Sequence, residues 1–199
     1  MRQAKSRFRS FEEYAALDPS ELPEGNYELV NGAIVEMGAE NLQNVEIASF
    51  LFSVLLQFVP SYLLHRGTEI AVSSRWVTSR FPDLMVLTEE TGAAMKRDRR
   101  SLIALEMPAP KLVVEAVSPG EPGSDNYDRD YLEKPQEYSQ RGIPEVWLVD
   151  PSREVVLVLS LVGDTYTTTA FRGRDRLGST EFPQLDLTSQ QILRGGVPD

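Results

Sequence analysis

The chain has no cysteine and a single histidine, His65. The first absence excludes disulfides, thiolate metal sites and a cysteine nucleophile, and agrees with a cytoplasmic location. The second argues against a histidine-rich zinc site or a Ser-His-Asp triad. His65, in "LLHRG", reads as a surface residue at a helix end. Long apolar runs are also missing. The longest, 50–64, is broken by Ser53, Gln57, Pro60 and Ser61, and is too short to span a bilayer. No apolar stretch follows the basic start "MRQAKSRFRS", so no secretory signal is expected. Neither G-x-G-x-x-G nor a P-loop occurs, and nucleotide binding has no motif.

Positive charge is in short supply too: the 199 residues carry a formal net charge of −10, which argues against broad, non-specific nucleic-acid binding. The basic residues there are cluster. Arg2, Lys5, Arg7 and Arg9 form an arm without acids, and "KRDRR" spans 96–100. Each alone reads as a solvated segment. With 41% hydrophobic and 25% charged residues, the composition is that of a globular protein. No internal repeat or long linker appears, so the expected organisation is a basic arm, 1–10, and one domain, 11–199.

The pattern alternates between helical and strand periods. Ser10 with Glu13 is a capping box opening a short helix. "NYELVNGAIVEM" is a β-hairpin about Asn31-Gly32. Val45, Ser49, Phe52, Leu55, Leu56 and Val59 give helical spacing over 42–59. Strands are expected over 68–77, 82–88 and 111–118, then a helix over 127–141 ending at Gly142. "EVWLVD", "EVVLVLSLV" and "TYTTTAF" form an antiparallel run, and Thr188 or Ser189 caps a last short helix. The expected class is mixed α/β, or α+β, around one central sheet.

One strand raises a chemical question. "KLVVEAVSPG" (111–120) places Glu115 among valines, one step before a loop. A buried carboxylate without a partner is costly. Asp83, in "RFPDLMVL", opens another apolar strand. If the two strands are neighbours, both carboxylates can share Mg²⁺ or Mn²⁺, which prefer hard oxygen ligands. The other reading is an Asp at a strand edge and a Glu in a structural ion pair. Phosphate chemistry at such a site needs a cation. Lys111 shares Glu115's face but lies roughly 13 Å back along the strand. Tyr127, Tyr131, Lys134 and Tyr138 recur at helical spacing, so Lys134 is a candidate. Alternatively, Lys134 snorkels or pairs with Asp130.

These residues sit in segments that resemble the Uma-two family, described as putative restriction endonucleases, within the PD-(D/E)XK nuclease superfamily. The matching segments are "YELVNGAIVEM", "RFPDLMVLTEE", "LVVEAVSPG", "DRDYLEKPQEYSQRGIPEVWLVDP" and "FPQLDLTSQQIL", in family order over 11–194. The resemblance implies a restriction-endonuclease-like core with flanking helices and an extra antiparallel hairpin. It implies metal-assisted phosphodiester hydrolysis on DNA, with Mg²⁺ (or Mn²⁺) held by Asp83, Glu115 and the backbone carbonyl of Ala116. The third position of the E-x-K triplet is Val117, a departure, and the lysine maps onto Lys134. Glu28 matches an acidic position of the "YEL" segment; it is either a further site carboxylate or an edge-strand surface residue. Tyr138 would line the site or support Lys134. Pro135 requires the helix to start near Lys134 or to kink there.

A different class competes: a nuclease-fold interaction module that cuts poorly or not at all, which the net charge favours. A small-molecule hydrolase has less support, since no nucleophile–base pair is visible. A homodimer is expected, merging the basic clusters or pairing edge strands of the C-terminal run.

Overall fold

A computed structural model describes residues 8–23, 27–38, 41–74, 77–96 and 100–198. Most of the basic arm (1–7) and the centre of the second basic cluster (97–99) lie outside the described residues.

The chain opens with α1 (Phe11–Ala15). The Ser10 hydroxyl accepts the Glu13 N–H, but the Glu13 carboxylate reaches back to the Arg9 N–H rather than to that of Ser10. Strands β1 (Tyr27–Val30) and β2 (Ala33–Glu36) form the expected hairpin. Asn31 and Gly32 both have positive φ, 52° and 76°, the backbone a tight two-residue hairpin turn requires. Helix α2 (Leu42–Leu55) is capped by the Asn41 side chain. Its buried stripe is Asn44, Ile47, Ala48, Leu51 and Leu55, not the one the spacing suggests. The helix is apolar around more than one face, so two neighbouring stripes fit a helical period equally well.

Short strands follow: β3 (Leu64–His65), β4 (Glu69–Val72), β5 (Thr78–Arg80) and β6 (Leu84–Val86). Then come α3 (Glu89–Met95), β7 (Leu102–Ile103) and β8 (Leu112–Ala116). The apolar run expected as one strand over 68–77 ends as β4 at Val72, and β5 returns antiparallel to it, Ile70 opposite Arg80. That reversal creates a second sheet. Strands order β2-β1-β5-β4-β7 in one and, after β9 (Glu145–Asp150), β10 (Val155–Val162) and β11 (Thr165–Phe171), β11-β10-β9-β8-β6-β3 in the other. The class is mixed α/β as expected, but with two sheets in place of one central sheet.

The six-stranded sheet is mixed: β8 runs antiparallel to β6 and parallel to β9. Alternation along β8 sends Leu112 and Val114 into a core with α2 and α6 (Ser189–Leu193). Val113 and Val117 enter the opposite core, with Tyr138, Val146 and Leu148. Glu115 shares this second face. Thr188 caps α6 in a capping box with Gln191.

Between β8 and β9 lies a helical run of three parts: α4 (Asp125–Asp128), a π-helical turn (Arg129–Glu133) and α5 (Lys134–Gln140). It stops at Gly142, φ 77°. Pro135 falls in the first turn of α5. It has no N–H to give to the preceding turn, and the wider π turn absorbs the interruption.

Candidate active site

Asp83 and Glu115 meet through strand register. Leu84 of β6 stands opposite Val114 of β8, so the next pair outward is Asp83 and Glu115. Asp83 accepts the Ala116 N–H at 2.7 Å, which ties the end of β6 to the end of β8. The Glu115 side chain is 3% exposed yet fully engaged. One oxygen accepts the Lys134 ammonium at 2.8 Å and the other the Tyr138 hydroxyl at 2.5 Å. Burial pushes the Glu115 carboxyl up to about 7; Lys134 and the Tyr138 hydroxyl pull it back, while the neighbouring Asp83 charge adds to the rise. Glu115, Glu28 and Asp130 hold Lys134 protonated against the effect of burial.

The helical run places its cation through the π turn. The extra residue shifts the face, so Asp130, Lys134 and Tyr138 look toward Glu115. Lys134 lies 3.5 Å from Asp130 and 3.5 Å from Glu28. Tyr127 and Tyr131, expected on Lys134's face, stack on each other at 4.6 Å elsewhere. Tyr131 donates to Asp150, and the Arg153 guanidinium lies over both rings. Uniform α-helical spacing cannot foresee this, because it assumes 3.6 residues per turn throughout.

Lys134 neither snorkels nor settles for Asp130 alone: it is 5% exposed and shared among three carboxylates. Glu28 is not a surface residue. It is 2% exposed, on a strand paired on both sides. Burial would raise its pKa, but Lys134 and Arg80 outweigh that and hold it below the ordinary value. Arg80, from β5, is buried and grips Glu28 at 2.9 Å, Glu137 at 2.6 Å and Glu133 at 3.1 Å. This guanidinium joins the five-stranded sheet to the helix that carries Lys134. Nothing in the sequence reading singled Arg80 out. An arginine ending a three-residue strand carries no local signal; its three acids are distant in sequence.

The carboxylates open onto a cavity of about 360 Å³ beyond the ends of β6 and β8. Asn44 lines it and donates to the Ala116 carbonyl at 3.1 Å, leaving that oxygen a second lone pair. Asn44 was also missed, because the stripe expected from the spacing left position 44 off the buried face. Lys111 is elsewhere, paired with Glu181. His65 contacts Thr68 and the Tyr62 carbonyl and does not line the cavity.

The cavity lining holds four carboxylates (Glu28, Asp83, Glu115, Asp130) against two cations (Arg129, Lys134). Among the described residues, no group of three or more His, Cys, Asp or Glu is arranged to hold a metal ion. Beside Glu28 and Asp130, the oxygen donors that line the cavity are the Asp83 and Glu115 carboxylates and the Ala116 carbonyl. That set fits Mg²⁺, which keeps several waters and takes one or two protein carboxylates. The surplus of negative charge fits a divalent cation of this kind.

The two-sheet core, with paired acids at the ends of adjacent strands and a helix-borne lysine, is a restriction-endonuclease-like fold. The chain belongs to the Uma2 family: the family's model, described as "Putative restriction endonuclease", matches residues 11–190. A solved structure, described as a putative nuclease belonging to DUF820 from Anabaena variabilis, superposes with a TM-score of 0.66. That match is 19% identical and covers 89% of this chain and 96% of the other. No curated protein is detectably similar to the chain. Among the described residues, no helix is long and apolar enough to cross a membrane.

Proposed function

We propose that this protein is a Mg²⁺-dependent (or Mn²⁺-dependent) endonuclease that hydrolyses phosphodiester bonds of DNA. One observation carries the reading: Asp83, Glu115, the Ala116 carbonyl and Lys134 converge on one open cavity, with carboxylates in excess. Asp83, Glu115 and the Ala116 carbonyl are the residues that would hold the cation. When bound, it supplies Lewis acidity at the scissile phosphate and lowers the pKa of a nearby water.

The chain's own groups do the rest. Lys134, kept protonated, is placed to orient the attacking water and to offset negative charge developing on the phosphate. Tyr138 and Lys134 hold the Glu115 carboxylate in one orientation. Glu28 is committed to Arg80 and Lys134, which favours positioning Lys134 over ligating the metal. Asn44 aims the Ala116 carbonyl.

The test is calorimetric titration of Mn²⁺ into the wild type, Asp83→Ala and Glu115→Ala, each with and without duplex DNA. Saturable binding lost in both variants, together with Mg²⁺-dependent cutting, is the expected result. A second reading, an interaction module, is favoured by the net charge of −10, which repels a phosphate backbone. It predicts no cleavage and DNA affinity that is absent or insensitive to salt. Metal-dependent cutting, or affinity that falls steeply with salt, excludes it.

A further inference from the structure

Strand edges are handled unevenly in this protein. Three of the four are short: β3 and β7 have two residues each and β2 has four. The fourth, β11, has seven, Thr165–Phe171, and among the described residues no strand pairs with its outer edge. Long open edges are usually protected by charge, proline or a bulge. β11 has none of these. "TYTTTAF" holds no charged residue or proline, and its pairing with β10 runs one-to-one from Val156–Phe171 to Val162–Thr165. Thr165, Thr167, Thr168, Thr169 and Ala170 are all exposed, while Tyr166 is half-buried and donates to the Ile143 carbonyl. A seven-residue edge strand with five exposed residues and no charge is unusual in a chain this rich in ionisable side chains.

The sequence around the strand explains what could cover it. In "GDTYTTTAFRG", 163–173, Thr167 and Thr169, Gly163 and Gly173, and the opposite charges of Asp164 and Arg172 lie symmetrically about Thr168. If two copies of β11 paired antiparallel with a twofold axis at Thr168, Thr167 would face Thr169 twice and Thr168 would face itself. Tyr166 would face Ala170, and Thr165 would face Phe171. At both ends Asp164 would meet Arg172, opposite charges in register, and both are exposed. An isologous interface requires this self-complementarity, since each residue must accept its mirror position. Cross-strand threonine pairs and opposite charges both stabilise such a ladder. Arg172 uses Nη1 on the Arg153 and Glu154 carbonyls, which steadies the side chain beside the strand end.

We propose that β11 docks a second copy of this chain, extending the six-stranded sheet across a twofold axis at Thr168. A strand pair of this length buries less than a standard interface, so the dimer is concentration-dependent rather than obligate. The inference is independent of the nuclease reading.

Sedimentation velocity over a concentration series tests it, on the full chain, with Thr168→Lys, Asp164→Arg and the double variant Asp164→Arg/Arg172→Asp. The exposed positions make folding of Thr168→Lys and Asp164→Arg straightforward to confirm by thermal melting. The expected result is a reversible wild-type dimer, weakened roughly fivefold or more by either single variant and restored by the charge swap. Concentration-dependent protection of the 165–171 amides from hydrogen exchange supports it independently of the variants. A monomer at every concentration overturns the proposal, as does a dimer indifferent to Thr168→Lys.

Discussion

Two buried glutamates stand on adjacent strands of the same sheet, and they differ in what surrounds them. Glu145, on β9, is 0% exposed and receives four neutral donors: Trp147 Nε1, the Ser179 hydroxyl, and the Thr180 and Glu181 N–H groups, at 2.5–3.3 Å. No ammonium or guanidinium is among these donors, and Glu145 lines no part of the active-site cavity. Its negative charge is spread over a closed set of dipoles that ties the 179–181 loop to the sheet. Glu115, one strand away, has one ammonium, one hydroxyl and a second carboxylate beside it, and it lines the cavity. A carboxylate inside an apolar strand is therefore not in itself a site. A second carboxylate alongside, and open space next to it, are what separate the two.

The largest effect is expected from removing the closed cluster. Glu145→Leu leaves two buried donors, Trp147 Nε1 and the Ser179 hydroxyl, and two part-buried N–H groups without their acceptor, and should destabilise the protein by about 3 kcal/mol in urea unfolding. The Mn²⁺ affinity of the folded protein should not change. If the affinity fell in step with stability, the two glutamates would not be functionally distinct.

Glu115→Gln should do the converse. The amide oxygen accepts from only one of Tyr138 and Lys134, so stability should fall by about 1–2 kcal/mol, less than for Glu145→Leu. Mn²⁺ affinity should fall by about 2 kcal/mol, some thirtyfold, as one anionic ligand is lost. Calorimetry on the same samples reads both quantities.

Acidity refines the contrast. Burial pushes the Glu115 carboxyl up to about 7, above its ordinary value of 4.5. With the folded value raised, its contribution to stability is fully present below about 4.5 and is lost as pH rises through about 7. Between pH 6 and pH 8 the metal-free wild type should lose stability relative to Glu115→Gln. Over the same window Mn²⁺ affinity should rise by up to about tenfold per pH unit, because the cation competes with that proton. Melting curves of both proteins at the two pH values, with and without Mn²⁺, check the sign. A parallel pH response in the two proteins would contradict the assignment.

The smallest effect belongs to Tyr138→Phe. It removes one hydrogen bond to Glu115 and should cost about 1 kcal/mol of stability, with a few-fold loss of metal affinity.

Much of this protein was legible locally. The Asn31-Gly32 hairpin, the Thr188 cap and the stop at Gly142 follow from short-range rules, whereas the meeting of Asp83 with Glu115 needed β6 and β8 to pair. The side chains of β8 fall on the faces that alternation assigns. Other features were not legible. Asn44 and Arg80 are ordinary polar residues until distant strands and helices surround them. The π turn at 129–133 looks like any helical stretch, yet it turns Tyr131 away and Lys134 inward.

Read alone, the sequence marks the hairpin, the caps, most of the longer strands and two acids at strand ends, because period, caps and turn residues act within a few positions. Only the tertiary structure decided which carboxylate faces open space, which cation it shares and how many sheets the strands form. Those outcomes depend on charge balance and pairing between segments far apart in the chain, where electrostatics and burial act on distance in space and not on distance in sequence.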